Sequence, residues 1–159
     1  MIMHDIVELA AQVGGMHSNN PIVNLVCKSR KKRMLKEILE RIDKLPEIPQ
    51  AEDIYYFSSL ALKWFGLDLN GYIKYFTLSD KSTASMYANA FYRSLVINIG
   101  NEVLEYEVNI CSDSMSISKI SHSRGYNIGT TADSIILAQL GEVIKLGLKE
   151  ICTNMVFRR

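Results

Sequence analysis

The sequence predicts an α+β protein, mainly α, in which a helical core is interrupted by a three-stranded antiparallel sheet before the last helix. Three observations carry this. Apolar residues recur at helical spacing from Ile2 to Phe65, the period drops to two near Leu95, and helical spacing returns after Thr131. The expected organisation is a helical domain over 1–94, a small β subdomain over 95–122, and a C-terminal helix within 123–159 that completes the helical domain.

Each element has its own signal. Ile2, Ile6, Val7, Leu9, Ala10 and Val13 describe a first helix that Gly14-Gly15 stops. Asn20-Pro21 reads as an N-cap followed by proline at the first helical position. It opens a second helix with Ile22, Leu25, Val26, Met34, Leu35, Ile38, Leu39, Ile42 and Leu45, ending before Pro46. The pairs Glu37 with Arg41 and Glu40 with Lys44 support its second half. After the linker Pro46 to Pro49, the residues Ile54, Phe57, Leu60, Ala61, Trp64 and Phe65 form one face of a third helix, read as the central helix of the core. Tyr72 to Leu78 is apolar but of undecided type, and Ser79-Asp80 is expected to cap a helix running through Met86, Ala90 and Phe91.

From Leu95 the strands follow. Leu95, Ile97 and Ile99 alternate with polar or outward positions, as do Leu104, Tyr106, Val108 and Ile110, with Gly100-Asn101 between the two runs. A two-residue turn there sets Ile97 opposite Leu104 and Leu95 opposite Tyr106. A third strand covers Met115 to Ser121, and the last helix is expected to cover the sheet, capped by Thr130 or Thr131 with Asp133 in its first turn. On that helix Ser134, Ala138 and Gly141 form a narrow stripe. Glycine inside a helix costs up to about 1 kcal/mol relative to alanine, so Gly141 and Gly147 point to the close approach of another backbone. The short strands, with one buried face, are expected to open more readily than the helical core.

Composition narrows the function classes. At 159 residues, 48% hydrophobic and 22% charged, the chain is long enough and apolar enough to bury a core. No apolar run approaches the roughly 18 residues of a membrane span, so no membrane partner is expected. Met1 to Gly15 contains Asp5 and Glu8 rather than a basic leader with an apolar block, and the expected location is cytoplasmic. Cys27, Cys111 and Cys152 are odd in number and far apart, which argues against both a disulfide framework and a zinc site. All three are expected to be small buried residues.

The strongest chemical feature is a run of positive charge. Lys28, Arg30, Lys31, Lys32 and Arg33, with Lys36 close behind, are uninterrupted by any acid in a chain whose net charge is only +1. Charge segregated in this way makes a local field suited to phosphates or to an acidic protein surface. A solvated helical face with no specific partner is the competing reading. On a helix the run spreads around more than one face, so some of these side chains must lie beside whatever the helix packs on.

Catalytic constellations are missing. His4, His17 and His122 lie on separate elements without metal-ligand spacing, and no metal or other cofactor is expected. Gly14-Gly15-Met16-His17-Ser18 lacks the Gly-x-Ser-x-Gly nucleophile pattern, and Gly125 to Gly129 lacks the Gly-Lys-Ser/Thr of a phosphate loop. Trp64 with Tyr55, Tyr56 and Phe65 has the composition of a base-stacking platform, but its helical spacing suits core packing. The expectation is a protein that is not an enzyme.

In the order of its elements, in size, and in having no active-site signature, the chain resembles the small subunit of archaeal type I-A CRISPR Cascade effector complexes. Lys28 to Lys36, Leu95 to Ser121 and Thr131 to Cys152 carry the resemblance at the level of layout. The resemblance implies a non-catalytic role in antiviral defence: packing beside the other effector-complex subunits, assisting assembly, and stabilising the R-loop. The implied partners are those subunits and single-stranded DNA or the complex containing crRNA, with self-association an open alternative. Two rival functions remain: an adaptor or inhibitor protein, and a small DNA-binding regulator of viral or plasmid origin.

Overall fold

The computed structural model describes residues 2–65, 71–89, 93–100, 102–110, 115–122 and 134–157. Its elements are α1 (Ile2–Gly14), α2 (Pro21–Asp43), α3 (Ala51–Phe65), β1 (Tyr72–Thr77), β2 (Thr83–Asn89), β3 (Ser94–Ile99), β4 (Glu102–Ile110), β5 (Met115–His122) and α4 (Ser134–Phe157). The α+β class is as expected. The sheet is larger: five antiparallel strands in the order β1-β2-β3-β4-β5, a plain meander.

The chain divides into two compact units, one of Met1–Leu45 with Lys145–Arg159 and one of Pro46–Ile144. The division falls at Leu45/Pro46 and within α4, rather than at residue 94, because β1 and β2 pair into the same sheet as the later strands.

In the first unit, α1 buries Met3, Ile6, Val7, Ala10 and Val13, and packs on α2, which buries Leu35, Ile38 and Ile42. The last part of α4 adds Leu148, Ile151, Cys152 and Val156. The start of α2 is as its sequence implies. The Asn20 side chain accepts from Ile22 N at 2.9 Å and Val23 N at 3.3 Å, and Pro21 follows at a position where no backbone donor is needed. Near its end Arg41 Nη2 donates to Glu37 Oε1 at 2.9 Å, and Lys44 is the C-cap. Lys145 Nζ donates to the carbonyl oxygen of Asp43 at 3.2 Å, and Lys149 pairs with the Asp43 carboxylate. Such part-exposed pairs contribute well under about 1 kcal/mol each, so the apolar seam holds this unit together.

In the second unit α3 lies on one face of the sheet. Ile54, Phe57, Leu60, Ala61, Leu62 and Phe65 are buried on the helix, and Ala84, Met86, Ala88, Leu95, Ile97, Ile99, Leu104 and Tyr106 are buried on the strands. The cover expected from the last helix is therefore supplied by α3, whose contacts extend from β2 to β5. The register of β3 with β4 is the predicted one: Leu95 faces Tyr106 and Ile97 faces Leu104, with Gly100 at φ +59° in the turn. Asn101 lies outside the described residues, as do Cys111, Asp113, Gly125 to Gly129, Thr130, Thr131 and Asp133.

The helix expected after Ser79-Asp80 is instead strand β2. Thr83 to Asn89 alternates, with Ala84, Met86 and Ala88 inward and Ser85 and Tyr87 half-buried on the other face. Ser79-Asp80 belongs to the β1–β2 turn. Leu78 N donates to Ser82 O, the Asp80 carboxylate accepts from Ser82 N at 2.9 Å, and Lys81 sits at φ +69°. An Asp-Ser pair has the same chemistry at a helix cap and in a turn, accepting from an N–H two or three residues on, so the motif alone did not distinguish them. Hydrogen bonds from Ser82 and Gln139 hold the Asp80 carboxyl below its ordinary value of 3.8. The turn is tied to α4 through Ser79, whose N and Oγ donate to Glu142.

Because α3 and the sheet share one core, the sheet is expected to open together with α3 rather than as a separate, weaker unit. Native-state hydrogen exchange is expected to give β3 amides protection comparable with those of α3, with faster exchange along the edge strand β1. Uniformly faster exchange through β2, β3 and β4 than through α3 would show that the strands open independently.

Candidate nucleic-acid interface

The basic run lies on α2, and the helix sorts its members. Lys28, Arg30, Lys32, Arg33 and Lys36 are exposed, and none forms an ion pair with a described residue. Lys28, Lys32 and Lys36, spaced by four, form one ridge. Arg30 and Arg33, spaced by three, form a second beside it. The first acid along α2 is Glu37, so the five cations form an unbroken positive segment ahead of it.

Lys31 is different. Its side chain is on the buried face with Leu35, Ile38 and Ile42, it is 7% exposed, and its Nζ donates to the carbonyl oxygen of Gly14 at 3.3 Å. That carbonyl stands at the C-terminus of α1, where the last turn leaves acceptors without helical donors and a cation suits the dipole. Lys31 thus closes the α1–α2 packing and is separated from the exposed group with which the sequence places it.

The apolar residues at the start of α2 also depart from expectation. Helical periodicity assigns Ile22, Leu25 and Val26 to a packed face, yet no residue from Pro21 to Arg30 is buried. Ile22 is 75%, Leu25 65% and Val26 58% exposed. The lengths explain it: α1 has 13 residues against 23 in α2, and Lys31 reaches the end of α1 at Gly14. At 1.5 Å per residue, about 15 Å of α2 precedes that point. On the exposed side, Ile22 and Val26 lead into the Arg30 ridge and Leu25 leads into the Lys28 ridge. Sequence pattern alone could not find this surface, because an apolar stripe looks the same whether or not an element is present to cover it.

The other residues of chemical interest have structural explanations. His17 Nδ1 lies 3.1 Å from the carbonyl oxygen of Gly15, and Ser18 Oγ accepts from Asn20 N at 3.1 Å, so both stabilise the α1–α2 loop. His4 lies 3.8 Å from Asp5 and 3.9 Å from Glu8, an exposed group of the kind that surface ion pairs form readily. Phe65 is buried and stacked on Tyr72, with ring centroids 4.8 Å apart, while Tyr55, Tyr56 and Trp64 are half-buried. Cys152 is buried, and burial pushes its thiol up to about 12; Cys27 is only half-buried, unlike the expectation for all three cysteines. Among the described residues no helix is long and apolar enough to cross a membrane. No protein-family model, curated protein or solved structure matches this chain.

Proposed function

We propose that this chain is a non-catalytic small subunit of a CRISPR-type ribonucleoprotein surveillance complex, in which the exposed cations of α2 hold a single strand of nucleic acid by its phosphates. The observation that supports this reading is the group Lys28, Arg30, Lys32, Arg33 and Lys36, exposed on one helix and without an ion pair among the described residues. Cations spread over two adjacent ridges suit a flexible strand, whose phosphates adjust to them, and need no base-reading side chains.

A salt titration with a labelled single strand tests the assignment. Three phosphate contacts give a log-log slope near −2, from about 0.7 per contact on a single strand. The variant carrying Arg30→Ala, Lys32→Ala and Arg33→Ala is expected to bind more weakly with a slope nearer zero, while its melting temperature stays unchanged. Unaltered affinity and slope would remove α2 from the interface. Co-purification with the large and backbone subunits of such a complex is expected of the wild-type chain, and its failure would count against the assembly role.

A further inference from the structure

We propose that the first half of α2 is a docking surface for a protein partner that presents an apolar groove edged with carboxylates. Ile22, Val23, Leu25 and Val26 are all exposed, within less than two turns of one helix. Four aliphatic side chains exposed to this degree make a patch on the order of 400 Å², a size that on a monomer often marks an interaction site. Such an amphipathic helix docks by laying apolar anchors into a groove, and the spacing of Ile22, Leu25 and Val26 is the i, i+3, i+4 pattern that this mode uses.

Charge selects the occupant. Lys28 and Arg30 border the patch directly, one on each ridge, and the helix carries no acid before Glu37. A groove that covers the four aliphatic residues therefore meets two cations at its edge, and carboxylates there turn a desolvation cost into an attraction that also sets the register. A second copy of the chain fits less well. Pairing two α2 helices through this patch brings Lys28 and Arg30 of both copies toward one seam with no acid to offset them. Nucleic acid fits less well too, since α2 has no aromatic ring on which a base would stack, and aliphatic side chains gain little against phosphate. With the partner docked, Lys28 and Arg30 serve its carboxylates and Lys32, Arg33 and Lys36 remain for the phosphates of the proposed function; the docking does not depend on those three, so its test uses no nucleic acid.

The probe is a labelled two-helix hairpin peptide whose leucines line the groove between its helices and whose glutamates edge that groove, compared with the same peptide carrying lysines at the edge. Fluorescence anisotropy with the intact chain is expected to show the glutamate peptide binding at least about tenfold more tightly than the lysine peptide. Leu25→Ser with Val26→Ser should weaken the glutamate peptide about tenfold, with circular dichroism unchanged because these side chains are exposed. Lys28→Glu with Arg30→Glu should reverse the preference, and this pair decides the matter if the serine variant fails to fold. Equal binding of both peptides, or binding of neither, would overturn the proposal. So would a dimer in sedimentation of the chain alone that Leu25→Ser with Val26→Ser dissolves, which would assign the patch to a second copy.

Discussion

Replacing Gly141 with alanine is expected to lower the stability of this protein, the reverse of what the same change does on an exposed helix. A Cβ at Gly141 falls on the carbonyl oxygen of Glu47 and 3.2 Å from Pro49 Cδ, so the backbone of the linker after α2 must move. On a free helical surface the change would gain up to about 1 kcal/mol in propensity. Overpacking against backbone costs about 1 to 3 kcal/mol, and Gly141→Leu belongs at or above the top of that range. For a chain of this length that is a fall in melting temperature of about 10 °C for the leucine variant. Gly14 is a second case, since a Cβ there falls on the carbonyl oxygen of Met155. Gly14→Ala should also melt lower. Either alanine variant melting above wild type would mean that the backbone approach at that glycine is absent.

Two neighbouring charge reversals are expected to differ sharply. Lys31→Glu puts a carboxylate on the buried face of α2 beside the Gly14 carbonyl oxygen, replacing a donor with an acceptor. An uncompensated buried charge costs about 3 to 5 kcal/mol, enough to threaten folding in a protein of ordinary stability. Lys32→Glu, one residue on and exposed, should change stability by less than about 0.5 kcal/mol while weakening nucleic-acid binding. Chemical denaturation of the two variants side by side measures the contrast. Similar midpoints would mean that Lys31 is not part of the packed interface, and would return it to the surface group. If Lys31→Glu fails to express, Lys31→Met is the milder probe, because it keeps the aliphatic stem and removes only the donor.

Much of the local structure was legible because its causes are local. Asn20 followed by Pro21 starts a helix through side-chain and ring geometry that involve nothing beyond the next few residues. The β3–β4 register follows from a two-residue loop and two alternating runs, a pattern whose one-residue slip would turn every apolar side chain to the wrong face. Gly141 was legible as a close approach because its propensity cost needs a reason. What it approaches, the carbonyl of Glu47, was not. The sequence reads β2 as a helix because Met86 and Ala90 have helical spacing, whereas Ala84, Met86 and Ala88 alternate inward in the structure and pairing on both sides by β1 and β3 resolves the ambiguity.

The sequence by itself determined where α1, α2 and α3 start and stop, the pairing of its clearest hairpin, and the presence of segregated positive charge. These depend on caps, turns and periodicities with a range of a few residues. Only the tertiary structure decided which residues of a given type are buried. Lys31 lies inside the charged run yet is packed away, because the end of α1 stands against that turn of α2. Ile22, Leu25 and Val26 share the chemistry of Ile38 and Ile42 yet remain exposed, because α1 is the shorter helix. Burial is a property of what lies opposite a side chain, and that is set by the lengths and meeting points of elements distant in sequence.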